Sequence, residues 1–249
     1  AASTHPGPDA TFGTDDDITG SPGVIVNDEN GFYSLDDFFG MDPQVTGRYS
    51  PSVINAAFVE ELFWDGRAGE DFRDPVTGEL LIATGGALEG QVAGPPLSPV
   101  EMAHQLRDWN SVASRFEGVK PLAVANAIPT ALEDWIASRN YPELFEEAFG
   151  DAEVTPSRTI MAIATYERIL VSNQAPLDDW IAGDTTALTA AEQRGLTVFN
   201  GQGRCNRCHR GNRLTDDNFH FIGVRPQNED QGRFAVTGNN RDLGKFKTP

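Results

Sequence analysis

Only two cysteines occur in the 249 residues, and they stand three positions apart. No second Cys-x-x-Cys exists to complete a four-ligand zinc site in the usual way. Long apolar runs are missing too: none approaches the roughly 20 residues that a helical membrane span needs. Positive charge is scarce, with 19 Lys and Arg against 37 Asp and Glu and a formal net charge of −18. Such a balance excludes a phosphate-binding nucleic-acid surface, which needs clustered cations. It suits a basic electron-transfer partner, or solubility in a salty medium. No secretory leader is visible at Ala1, as expected where one has been removed or where something longer is missing. Glycine and proline, by contrast, are plentiful, 25 and 16 respectively. Their number predicts a globular but loop-rich chain, long enough for one large domain or two of ordinary size.

Both cysteines fall within Cys205-Asn206-Arg207-Cys208-His209. Cys-x-x-Cys-His is the pattern of c-type haem attachment: two thiols form thioethers to one haem, and the adjacent imidazole is placed under the iron. A redox dithiol normally sits at a strand-to-helix junction of a βαβ unit, whereas the segment upstream here reads as helical. A zinc site has His220 as its nearest further ligand and nothing more. Covalent haem attachment takes place outside the cytoplasm, so a periplasmic or secreted protein is expected.

Residues 1 to 50 are rich in turn formers, among them Gly13-Thr-Asp-Asp-Asp17 and Ser21-Pro-Gly23. Asp15, Asp16 and Asp17 lack the spaced oxygen pattern of a calcium loop and read as a solvated turn. Asp65-Gly66, after an aromatic pair, is a turn signal. Ser98, Pro99 and Glu101 form a capping-box pattern that predicts a helix running to about Glu117, giving Glu101 a purely structural role. Further helices are predicted at about 130 to 138 and at about 142 to 149, the latter from Pro142 to a stop at Gly150. Another starts after Thr155-Pro156, carrying Ile160, Ile163, Tyr166 and Leu170, and Thr189-Ala-Ala-Glu192 opens one just before the haem motif. The second half therefore reads as an all-α haem domain. Met41, Met102 and Met161 read as packing residues, His104 as an ordinary helix residue, and His220, between Phe219 and Phe221, as a loop anchor near the haem.

Several segments in order resemble the bacterial di-haem cytochrome c peroxidase family, including its methylamine-dehydrogenase-maturing and polyisoprene-cleaving relatives. They are Arg48-Tyr-Ser-Pro-Ser-Val-Ile-Asn-Ala-Ala-Phe58, Leu62-Phe-Trp-Asp-Gly-Arg-Ala68, Gln91 with Pro99-Val-Glu-Met102, Ala162 to Leu170, Phe199 to His209, Asn218-Phe-His-Phe-Ile-Gly223 and Lys245-Phe-Lys-Thr-Pro249. The resemblance implies a mainly α fold of two cytochrome-c-like haem domains with long loops and little strand. Residues 1–154 would be the peroxidatic-type domain and 155–249 the haem c domain, incomplete at its end because the family continues by several helices. It implies that Cys205, Cys208 and His209 hold the electron-entry haem, and that Trp64 relays electrons between haems. Gln91 and Glu101 match the polar pair of the peroxidatic pocket, with Glu101 as acid and base. Asn55, and backbone near Thr248, match a calcium site.

One departure concerns the first haem. The N-terminal motif of the family aligns with Ala1-Ala-Ser-Thr-His5, where Ala1 and Thr4 occupy the cysteine positions. A second haem would then rest on His5 as a candidate iron ligand without thioethers. The expected activity is hydrogen peroxide reduction, with electrons from a small donor of cytochrome c or cupredoxin type, and a homodimer is compatible with it. The alternatives are oxidation of a protein or organic substrate, a mono-haem electron-transfer or assembly subunit, or an incomplete copy of a larger protein.

Overall fold

The structure, a computed structural model, describes residues 3–223 and 225–249. Ala1, one of the two expected cysteine positions, lies outside the described residues. The helices are α1 (Ala87–Val92), α2 (Trp109–Gly118), α3 (Thr130–Ile136), α4 (Tyr141–Phe149), α5 (Pro156–Glu167), α6 (Pro176–Ile181), α7 (Ala190–Asn200) and α8 (Phe234–Thr237). The strands are β1 (Ser3–His5), β2 (Ile18–Gly20), β3 (Phe72–Arg73), β4 (Leu80–Ile82), β5 (Phe219–His220) and β6 (Phe246–Lys247). They pair as antiparallel ladders β1–β2, β3–β4 and β5–β6. The protein is thus mainly helical with minor strand, as its sequence predicts. No helix among the described residues is long and apolar enough to cross a membrane.

The chain divides into two compact units. The first comprises Ala1–Ser50, Phe72–Ile82 and Glu89–Ala164, and the second Pro51–Asp71, Ala83–Leu88 and Thr165–Pro249.

In the first unit the core gathers Phe72, Trp109, Ala113, Phe145, Ile160 and Ala164, of which Ile160 and Ala164 are fully buried. Local chemistry starts the helices. Thr155 Oγ1 accepts from the Arg158 N–H at the head of α5, and Asn140 and Glu143 form a reciprocal capping box on α4, which ends at Gly150 in the left-handed region. The long leader is tied down by a buried amide. Gln44 Nε2 donates to the carbonyls of Val24 and Pro99 at 3.1 and 2.8 Å, while the Val24 N–H donates to Val100 O.

The helix predicted from Ser98 to Glu117 does not form as such. The Ser98 carbonyl accepts from the N–H groups of Glu101, Met102 and Ala103, making one turn, and Leu106 then adopts φ 59°, outside the right-handed helical region. Helix α2 begins only at Trp109, capped by the Asp108 carboxylate 2.7 Å from the Ser111 N–H. Burial decides the start point: Trp109 is 3% exposed and its indole N–H donates to Ala93 O at 3.0 Å.

In the second unit the Asp65-Gly66 turn is closed by Leu62 pairing with Ala68 and by the Gly66 N–H donating to Phe63 O. Gly66 has φ +70°, and a Cβ there would come within 2.2 Å of Arg233 Nη1, so both conformation and space demand glycine. Helix α7 opens with the Thr189–Glu192 capping box that the sequence predicts.

Candidate haem site

Residues 205 to 209 fold as a single helical turn. The N–H groups of Cys208 and His209 donate to the Cys205 carbonyl at 3.3 and 2.9 Å, so Cys205 and Cys208 lie on one side of the turn. Both thiols are free, Cys205 exposed and Cys208 half-buried. His209 Nδ1 lies 2.9 Å from Leu214 O. A carbonyl only accepts, so Nδ1 carries the proton and Nε2 presents its lone pair. Metal-binding imidazoles are held in this way.

The surroundings fit a large flat apolar group. Helix α7, which leads into the turn, buries none of its residues. Val198 is 45% and Leu214 36% exposed, and the Phe199 ring stands 6.4 Å from that of His209. These apolar side chains are partly exposed, and a haem bonded at Cys205 and Cys208 would have apolar surface to lie against. The donor set and its lining fit a c-type haem.

A second arrangement touches the same turn. Cys208 Sγ, an Asp216 carboxylate oxygen and a His220 ring nitrogen all lie within 4.8 Å of one another. The imidazole is already engaged, with His220 Nε2 at 2.9 Å from Asp216 Oδ2. The Asp216 side chain is 4% exposed. Burial alone would raise its carboxyl, but hydrogen bonds from His220, the Asn218 N–H and Thr248 outweigh that and bring it down to about 2. His220 therefore anchors its loop through Asp216, a partner its flanking phenylalanines did not signal.

Trp64 and the calcium candidates lie together in this unit. Asn55, Trp64, Arg213, Asp217, Lys247 and Thr248 are among the walls of a cleft of about 170 Å³. Asn55 sits at φ 64° and gives no cap to the turn that follows it. Its Oδ1 instead accepts from the Ser172 N–H at 2.9 Å. Thr248 is buried, and its carbonyl accepts from Thr215 Oγ1 at 2.8 Å. The Trp64 carbonyl accepts from the Lys247 N–H at 2.8 Å. Burial pushes the Lys247 ammonium down, against the attraction of Asp217 and Glu61, and its Nζ donates to Glu61 O at 2.7 Å.

Arg233, which no sequence motif marked, fixes this region. Its Nη1 donates to the carbonyls of Asp65 and Gly66 at 2.9 and 3.0 Å. Nη2 pairs with Glu61 Oε1 at 2.5 Å, and the guanidinium lies 4.2 Å from the Phe219 ring centroid. Asp65 is 5% exposed, and a single Arg67 nitrogen, Nη1, donates to both of its oxygens at 3.2 Å.

The remaining candidates belong to the first unit. Gln91 lies on α1 and is half-buried, as is Glu101. The Glu101 N–H donates to Ser98 Oγ at 3.3 Å, which is half of a capping box. The returning half is missing, because the Ser98 N–H donates to Pro95 O. Among the described residues the carboxylate of Glu101 has no hydrogen-bond or charge partner, so its structural role as a cap is not taken up. Thr4 forms a cross-strand pair with Thr19, their hydroxyls 3.0 Å apart.

His5 is 9% exposed, with the rings of Phe38 and Phe39 5.8 and 5.0 Å from its own. Its Nδ1 accepts from the Gly7 N–H at 3.1 Å, which places the ring proton on Nε2, and Nε2 faces Asp42 at 3.7 Å. An imidazole ligating iron through Nε2 needs the opposite tautomer.

The family model of the di-haem cytochrome c peroxidases matches residues 27–186. The methylamine utilization protein MauG of Methylophilus methylotrophus is 34% identical over 206 residues, covering 81% of this chain and 49% of that protein. The cytochrome c551 peroxidase of Nitrosomonas europaea is 31% identical over 204 residues, covering 80% and 49%. A solved structure, of a MauG-like protein associated with microbial copper homeostasis, superposes with a TM-score of 0.53 at 21% identity over 90% of this chain and 57% of that one. That likeness concerns the fold. The chain spans about half the length of these curated relatives.

Proposed function

We propose, for a chain that belongs to the di-haem cytochrome c peroxidase family, an extracytoplasmic oxidoreductase that reduces hydrogen peroxide with electrons entering at a haem held by Cys205, Cys208 and His209. Residues 1–154 would form the peroxidatic-type domain and 155–249 the haem c domain. The observation that carries the reading is the His209 hydrogen bond to Leu214 O, which leaves Nε2 free to ligate. Bound there, a haem supplies a one-electron couple. The chain's own part would be to set the imidazole, offer Val198 and Leu214 as apolar lining, and conduct onward by way of Trp64.

Reduction of hydrogen peroxide to two waters takes two electrons and two protons. Splitting the O–O bond unevenly requires a proton to leave the near oxygen and arrive on the departing one. Glu101, half-buried and unpartnered, is suited to carry it, and the Gln91 amide to orient the peroxide. The donor would be a small cytochrome c or cupredoxin with a basic docking face, drawn to the charge of −18. Calcium at Asn55 and Thr248 would brace their shared cleft.

A second reading, a mono-haem electron-transfer subunit, is favoured by the His5 tautomer. Pyridine haemochrome beside metal analysis, with a peroxide assay on a reduced donor, separates the two. Two irons per chain and turnover that fails in E101Q support the peroxidase. One iron without turnover supports the carrier.

A further inference from the structure

The first unit holds a second cavity of about 300 Å³, whose walls include Asn27, Asn30, Met102, His104, Arg107 and Arg115. Among the described residues not one carboxylate lines it, although acidic residues outnumber basic ones 37 to 19 in the chain. Elsewhere in the protein arginines find carboxylates: Arg67 with Asp65, Arg158 with Asp151, Arg213 with Asp217 and Arg233 with Glu61. Arg107 and Arg115 find none among the described residues, and the Arg107 Nε is buried with no acceptor at all. Burial and the like charge of Arg115 both press against the charged form of Arg107.

The fold brings these donors to one cavity. Arg107 precedes α2 and Arg115 lies in its last turn. His104 Nδ1 lies 2.7 Å from Gln105 O, which fixes that ring, and the Gln105 N–H reaches Asn27 O, linking the leader to the same wall. Buried donors without acceptors are rare in proteins and mark places where a further acceptor belongs. Two guanidiniums lining one cavity repel, and a shared anion converts that repulsion into charge-assisted hydrogen bonds.

We propose that this cavity is an anion site, taking a carboxylate or small oxyanion between Arg107 and Arg115. The anion is either free or the acidic arm of a larger molecule, such as a haem propionate. The site is separate from the turn at Cys205 to His209 and does not depend on the peroxide reading.

Calorimetry on the whole chain, at matched ionic strength in chloride, tests it with three probes: inorganic phosphate, oxalate and ferric protohaem. Wild type is expected to bind at least one of them. R107Q and R115Q are each expected to weaken that binding about tenfold, as loss of a charge-assisted contact does. R107K should recover part of it, because a lysine restores the charge without the fork. Binding of phosphate or oxalate identifies a free anion, and binding of protohaem alone a propionate. Melting in chloride distinguishes a binding role from a structural one: R107Q should melt no lower than wild type, since it removes a half-buried cation with no acid partner among the described residues. No binding of any probe, equal binding by the variants, or a lower melt of R107Q with its anion response intact would overturn the site.

Discussion

His209 Nδ1 donates to Leu214 O across 2.9 Å, whereas His5 Nδ1 accepts from the Gly7 N–H across 3.1 Å. The two histidines thus expose opposite faces of their chemistry. One offers a lone pair at Nε2, the other a proton.

The first consequence concerns the cofactor. Material matured with a covalent haem is expected to show one such haem per chain by pyridine haemochrome, abolished in the double variant C205S/C208S and unchanged in H5Q. Persistence of covalent haem in the double variant would place the attachment elsewhere.

Removing the Arg233 side chain leaves two carbonyls and the Glu61 carboxylate without their donor. R233A is therefore expected to lose about 3 kcal/mol in urea unfolding. R233K, with charge but no fork, should lose about half as much. G66A should be destabilised as well, by more than about 1 kcal/mol, because its left-handed φ and the nearby guanidinium both resist a Cβ.

The Asp216 carboxyl, held at about 2 against an ordinary 3.8, links stability to acid. The native state resists protonation more than the unfolded chain does, so the unfolded chain binds more protons in this window. The contribution is complete above about pH 4 and disappears as pH falls toward about 2, with a size on the order of 2 kcal/mol. Melting temperatures of D216N should fall less steeply between those pH values than those of wild type.

E101Q separates chemistry from capping. Among the described residues its carboxylate supports no neighbour, so stability should change by less than about 0.5 kcal/mol, while peroxide turnover of the holoprotein should drop about 100-fold or more. S98A is expected to do the reverse, costing about 1 kcal/mol through the lost bond to the Glu101 N–H and leaving turnover near wild type.

Local chemistry was legible in the residues themselves. Cys205, Cys208 and His209 sit within one turn, and Thr189 with Glu192, or Gly150 after Phe149, act over three or four residues, so spacing alone states their geometry. The same reasoning failed at Ser98, whose half-box is real but whose helix waits until Asp108, because burial of Trp109 outweighs a local cap. Glu101 accordingly lost its structural explanation only when the turn was seen.

What tertiary structure alone decided involves partners far apart in the chain: Arg233 with Asp65 and Gly66, Asn55 with Ser172, and Gln44 with Pro99. No pattern of neighbours encodes such pairs, since they arise when a backbone carbonyl or N–H, groups that almost every residue carries, faces a distant side chain. The histidines show the division most plainly. Their identity and motif came from sequence, but which nitrogen bears the proton depends on whether a carbonyl or an N–H stands opposite, and only folding brings one there.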